Sequence, residues 1–182
     1  MFLFRMINGL AERSVWVDRL AKGLTLAGWG GIIWILIALL MLGLGWDLPA
    51  WRLAAIAAMA LLALMGGLDT AIKLLFQRLR PPFSLPDARL LLPLPGSYSF
   101  LSGHTLSSVA TALFLALAFQ RLGAPGWTGP AVLVLAAGIG WSRIHVGHHY
   151  PFDVLAGGVV GAGLGWLAWR LAEPLIEAAR LT

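Results

Sequence analysis

Three short segments of this chain concentrate the residues able to do chemistry on an anion. The first is Lys73-Leu-Leu-Phe-Gln77-Arg78-Leu-Arg80-Pro81. Read as a continuous helix, it brings Lys73, Gln77 and Arg80 within about 60° of one another around the axis and turns Arg78 away. Pro81 and Pro82 stop that helix, which places Arg80 at its mouth. Two cations then share one face, as a phosphate site needs, although a membrane-edge cluster snorkelling to headgroups has the same composition.

The second segment, Ser99-Phe-Leu-Ser102-Gly103-His104-Thr105, leads directly into an apolar run. A helix start offers free backbone N–H groups and the positive end of a dipole, which together hold phosphate oxygens. Gly103 lets that backbone approach a ligand closely, and Ser102 is placed to cap the helix or to donate to phosphate. Taken alone, His104 reads by default as a satisfied interfacial histidine.

The third segment gathers Ser142, Arg143, His145, His148, His149, Pro151 and Asp153 within twelve residues. Pro151 suits the first turn of a helix, with His149 just ahead of it and Asp153 inside it. An Asp there can accept a hydrogen bond from one ring nitrogen of His149, leaving the other nitrogen's lone pair free to attack. Arg143 adds a planar donor fork for phosphate oxygens.

The elements that must position these groups are membrane helices. Of 182 residues, 59% are hydrophobic and only 12% charged, and the mean hydropathy is +0.84. Apolar runs at residues 24–45, 53–68, 105–120, 122–142 and 154–169 predict an all-α polytopic bundle of about five transmembrane spans. Residues 1–22 mix Arg5, Glu12, Arg13, Asp18, Arg19 and Lys22 with apolar residues at helical spacing. This pattern predicts an N-terminal amphipathic helix on the membrane surface, a frayed tail being the alternative. Residues 23–182 then form a single membrane domain, with its motif region at 73–153. Gly157, Gly161 and Gly165 predict close helix packing in the last span. Trp29, Trp34, Trp46, Trp51, Trp166 and Trp169 read as interface anchors.

The net charge of +5 suits anionic lipid surfaces and anionic substrates, and the apolar composition argues against nucleic acid. The chain has no cysteine, which excludes disulfides, thiolate nucleophiles and cysteine metal sites. If the spans alternate across the bilayer, all three segments meet on one membrane face. Three cations, a backbone nest and two imidazoles would then surround one small anion.

Those segments, read as Lys73-x6-Arg80-Pro81, Ser102-Gly103-His104 and Ser142-Arg143-x5-His149-x3-Asp153, resemble the three signature motifs of the type 2 phosphatidic acid phosphatase superfamily, which also includes vanadium haloperoxidases. The resemblance covers roughly residues 53–169. It departs at Leu101, where the family usually has Pro. It implies a membrane lipid phosphatase in which His149 forms a phosphohistidine, Asp153 orients it, and His104 protonates the leaving oxygen. Lys73, Arg80, Ser102, Gly103 and Arg143 would bind the phosphate. No metal or other cofactor is implied, and no obligate protein partner. His145 and His148 match no motif position and read as outlying residues.

The implied substrate is an anionic lipid phosphate, undecaprenyl pyrophosphate first, then phosphatidylglycerol phosphate, with phosphatidic acid and lipid A phosphates behind. The implied location is a bacterial cytoplasmic (inner) membrane with the site facing the periplasm or exterior. Positive-inside counting leans the other way: the site's face carries Arg5, Arg13, Arg19, Lys22, Arg78 and Arg89, against Arg52, Arg121, Arg170 and Arg180 opposite. Two rivals stand beside the phosphatase. One is a zinc site of His145, His149 and Asp153, which the neighbouring cations oppose. The other is a transporter or scaffold that binds an anion without turning it over.

Overall fold

The computed structural model describes residues 1–45 and 47–181. Eight α-helices and one 3-10 turn account for the ordered elements among them: α1 (Phe2–Asn8), α2 (Val15–Ala27), the 3-10 turn Trp29–Gly31, α3 (Ile32–Leu44), α4 (Pro49–Phe76), α5 (Pro81–Ser84), α6 (Gly103–Arg121), α7 (Thr128–His145) and α8 (Pro151–Ala178). No strand is present among the described residues, as the composition predicts.

Helix α6 is the centre of the bundle. Leu106, Ala110, Phe114, Leu115 and Ala118 are fully or almost fully buried, and α4, α7 and α8 all pack on it. The α8 contact depends on small residues. A Cβ at Gly157 would lie 2.8 Å from Ser102 O, and one at Gly161 would lie 2.6 Å from Leu106 O. One glycine face therefore lets the two backbones touch. Outside this core, Leu36, Leu39, Leu40, Leu64, Val159, Leu167 and Leu171 are exposed on α3, α4 and α8. A coat of large apolar side chains is stable against lipid tails rather than water.

The all-helical membrane bundle forms as expected, and the elements behind its spans differ in detail. Three segments, Pro49–Ser84, Gly103–Arg121 and Pro151–Ala178, are long and apolar enough to cross a bilayer, and a fourth span requires the bent pair Val15–Ala27 and Trp29–Leu44 to act together. The predicted run at residues 24–45 breaks by 57° because Gly30 (φ 58°) and Gly31 (φ 73°) take left-handed conformations. The predicted run at 122–142 starts later, at Thr128. It ends on Arg143 and His145, polar residues that lower its hydropathy although it packs within the bundle.

The N-terminal segment is two helices rather than one, and α2 continues five residues past Lys22. Helix α1 buries Phe4 against Leu85, Ile144 and Tyr150. Asn8 holds two other segments at once, donating to Arg89 O and His145 O, each at 2.9 Å. The tryptophans also divide. Trp29 and Trp166 are exposed, as anchors should be, whereas Trp34 and Trp169 are core residues. Trp34 donates its indole N–H to Ser108 Oγ at 2.9 Å, so burial leaves no polar group unpaired. Trp46 lies outside the described residues.

Candidate active site

Helix α4 ends where the backbone of Gln77 turns left-handed (φ 44°), so the predicted common face of Lys73, Gln77 and Arg80 does not form. The cations converge by another route. The chain leaves α4, and Pro81 starts the short α5, with Arg80 as its extended N-cap residue. Arg80 is 2% exposed and donates to Ser97 O (2.8 Å) and His148 O (2.9 Å). Its guanidinium also stands 3.1 Å from His149 Nε2.

His149 precedes α8, whose first residue is Pro151. Its Nδ1 lies 2.8 Å from Ser99 O, an acceptor only, so Nδ1 carries the hydrogen and the Nε2 lone pair points toward Arg80. Asp153 is not the direct partner of this ring. Its carboxylate is 3.7 Å from Nδ1 and instead accepts from Ser99 Oγ (2.6 Å), the Tyr150 backbone N–H (3.0 Å) and Arg78 (2.5 Å). Asp153 therefore holds the segment that holds His149. Burial and the neighbouring Arg80 and Arg143 keep the His149 imidazolium well below its ordinary range, so the ring is a neutral base at physiological pH.

Arg143, in the last turn of α7, is 1% exposed. His148 positions it: His148 Nε2 donates to Leu92 O (3.0 Å), which leaves Nδ1 to accept from the guanidinium at 2.6 Å. That arrangement needs a neutral ring, and burial beside Arg143 lowers the His148 pKa to about 4. Arg143 Nε remains buried without a partner, an unused donor beside the cavity. His145, by contrast, turns away to bond Asp18 at 2.9 Å, so the zinc trio of His145, His149 and Asp153 does not converge.

Gly103 and His104 open α6, where the first backbone N–H groups have no helical acceptor. His104 Nε2 is buried and unpartnered. Ser102 is fully buried, accepts from the Thr105 hydroxyl at 3.0 Å, and pins the turn through its N–H to Asp153 O. Leu101, in place of the family's usual Pro, is buried in the main core. Lys73, Arg80, Gly103, His104, Arg143 and His149 line one cavity of about 290 Å³, with Ser102 and Asp153 behind its wall. The apolar part of that wall comes from the glycine bend with Trp29 and from Leu62 and Met65 of α4, Leu62 lying against Gly31.

Sequence reasoning passed over Asp69, Arg78, Ser99 and the positioning role of His148. Asp69 stands one helical turn before Lys73, a spacing that marks an ion pair. Nothing local marked Arg78 or Ser99, because their partner lies more than fifty residues away.

A buried imidazole with its Nε2 turned toward the cavity, a second imidazole, two buried arginines and a helix N-terminus in a lipid-facing bundle suit the binding of a phosphate group at a membrane. The PAP2 superfamily matches residues 51–177, and the chain belongs to it. The chain is 28% identical over 173 residues to undecaprenyl-diphosphatase BcrC of Bacillus subtilis, spanning 95% of this chain and 84% of that one. It is 33% identical over 163 residues to decaprenylphosphoryl-5-phosphoribose phosphatase of Mycobacterium tuberculosis, spanning 86% and 84%. Its fold matches a crystal structure of a transmembrane PAP2 type phosphatidylglycerolphosphate phosphatase from Bacillus subtilis with a TM-score of 0.76, covering 94% and 85% of the two chains at 23% identity. The protein is thus an integral membrane lipid phosphatase, a hydrolase of phosphate esters.

Proposed function

We propose that the protein hydrolyses undecaprenyl pyrophosphate to undecaprenyl phosphate through a phosphohistidine on His149. The observation that carries the mechanism is the Nδ1 contact to Ser99 O, which orients the Nε2 lone pair into the cavity beside Arg80. Nε2 attacks the terminal phosphorus. The N–P bond forms as the P–O bond to the leaving lipid phosphate breaks, and His104 gives that oxygen its proton. Water then attacks phosphorus, His104 takes the water's proton, and the N–P bond breaks. Lys73, Arg80, Arg143 and the backbone at Gly103 hold the equatorial oxygens, where transition-state charge accumulates.

Undecaprenyl pyrophosphate is favoured because the similarity to a phosphatase named for it spans 95% of this chain and 84% of that one. Phosphatidylglycerol phosphate is the second candidate, with phosphatidic acid and lipid A phosphates following. We place the protein in a bacterial inner membrane with the cavity on the exterior face. Helix α8 starts beside His149 and runs 28 residues to Ala178, so a reporter fused at the C-terminus, opposite the site, reads cytoplasmic under this assignment.

A lipid-phosphate panel, assayed with purified wild type and His149→Ala in parallel, tests class, nucleophile and substrate together. Wild type releases phosphate most rapidly from undecaprenyl pyrophosphate, His149→Ala is inactive, and His104→Ala loses about 10²- to 10⁴-fold. Full activity in His149→Ala would refute the mechanism. Activity also survives exhaustive chelation. Loss with EDTA and recovery with zinc would point to a metal instead.

A further inference from the structure

Asp69 is a charged group of this cavity that the hydrolysis above does not use. It sits on α4 one turn before Lys73, and its Oδ2 accepts from Lys73 Nζ at 2.7 Å. Its Oδ1 is buried and has no hydrogen-bond partner. The carboxylate lies against the first residue of α6, so close that a Cβ on Gly103 would overlap it. Asp69 lines the same cavity as Lys73, Arg80 and Arg143.

A carboxylate in an anion-binding cavity opposes its ligand by like charge, and an unpaired buried oxygen carries a desolvation cost. Yet this carboxylate already has what a phosphate oxygen would seek, an ammonium and the positive end of a helix. The cavity therefore contains an anion of its own. We propose that Asp69 is an internal competitor for Lys73, holding it in the empty site and yielding it to the incoming phosphoryl group. Orthophosphate, the last product, is then bound weakly and leaves. This rests on the phosphatase reading and adds a residue that sets anion affinity.

The test uses purified full-length protein in detergent. Orthophosphate affinity is measured by calorimetry and by competitive inhibition in wild type, Asp69→Asn, Asp69→Ala, Lys73→Met and the Asp69→Asn/Lys73→Met double variant. Removing the charge tightens orthophosphate about tenfold, as expected for a like charge a few ångströms away in a partly desolvated site. At saturating substrate kcat falls with KM, because product release slows. In the Lys73→Met background the Asp69→Asn effect shrinks, since the contested group is gone.

Orthophosphate affinity unchanged within twofold in both Asp69 variants overturns the proposal, as does weaker binding in either. Failure of both variants to fold also overturns it, by making the ion pair a structural one. Hydrolysis by wild type with unchanged affinity in the variants removes the Asp69 role alone. Absence of hydrolysis with tighter binding removes the phosphatase reading and leaves the internal anion standing.

Discussion

On one side of the cavity α6 and α8 touch backbone to backbone through Gly157, Gly161 and Gly165, whereas on the other α4 meets the glycine break and α3 through side chains, Leu62 lying against Gly31. The first wall carries both histidines assigned to bond making and proton transfer. The second carries Lys73, Asp69 and the apolar lining beside Trp29. A nucleophile must be held to within fractions of an ångström, which dense packing provides. The second wall is instead closed by side chains, and its two charged groups, Lys73 and Asp69, are held by each other.

Substitutions that thicken the rigid wall have the largest effect. Gly161→Leu forces α8 away from Leu106 O and Ala110 N, and no folded, active protein is recovered on size exclusion. Arg143→Lys keeps a charge but loses the fork and the contact to His148. Its kcat falls about a hundredfold, in the range for losing one transition-state donor, with little change in melting temperature.

His148 tests the same wall through pH. Its pKa of about 4 lies below the ordinary 6.5, so the unfolded chain binds more protons once pH falls below 6.5. Its contribution is intact above that value and is lost progressively as pH falls toward 4, at most about 3 kcal/mol for this group. His148→Gln has a lower melting temperature at pH 7.5 but a shallower loss between pH 6.5 and 4. An unchanged slope would remove His148 as a source of acid sensitivity. The smallest effect belongs to the bent wall: Gly30→Ala, at φ 58° with open space around it, costs roughly 1–2 kcal/mol in stability and leaves kcat within about threefold.

How much of this was legible in the chain differs by wall. The motif residues of the rigid wall were readable from short spacings, because Pro151 sets the start of α8 and thereby places His149 and Asp153. The glycine face of α8 was readable for the same reason, since its four-residue spacing returns each glycine to one side. The bent wall was misread in two places. An apolar run of adequate length looks like one span, and only the backbone shows that Gly30 and Gly31 break it. Likewise, continuing α4 through Gln77 put Lys73 and Arg80 on a helix face that does not exist, although both reach the cavity by another path.

The amino-acid order by itself determined the apolar bundle, the chemistry of its polar segments and their meeting on one face, because hydropathy, proline placement and residue type act locally. Tertiary structure decided the partners. The assignment of Asp153 to Arg78 and Ser99, of His149 to the Ser99 carbonyl, of His148 to Arg143 and of Asp69 to the mouth of α6 depends on hydrogen-bond geometry. Such geometry is set within a few tenths of an ångström by packing among distant segments, and no spacing along the chain encodes it.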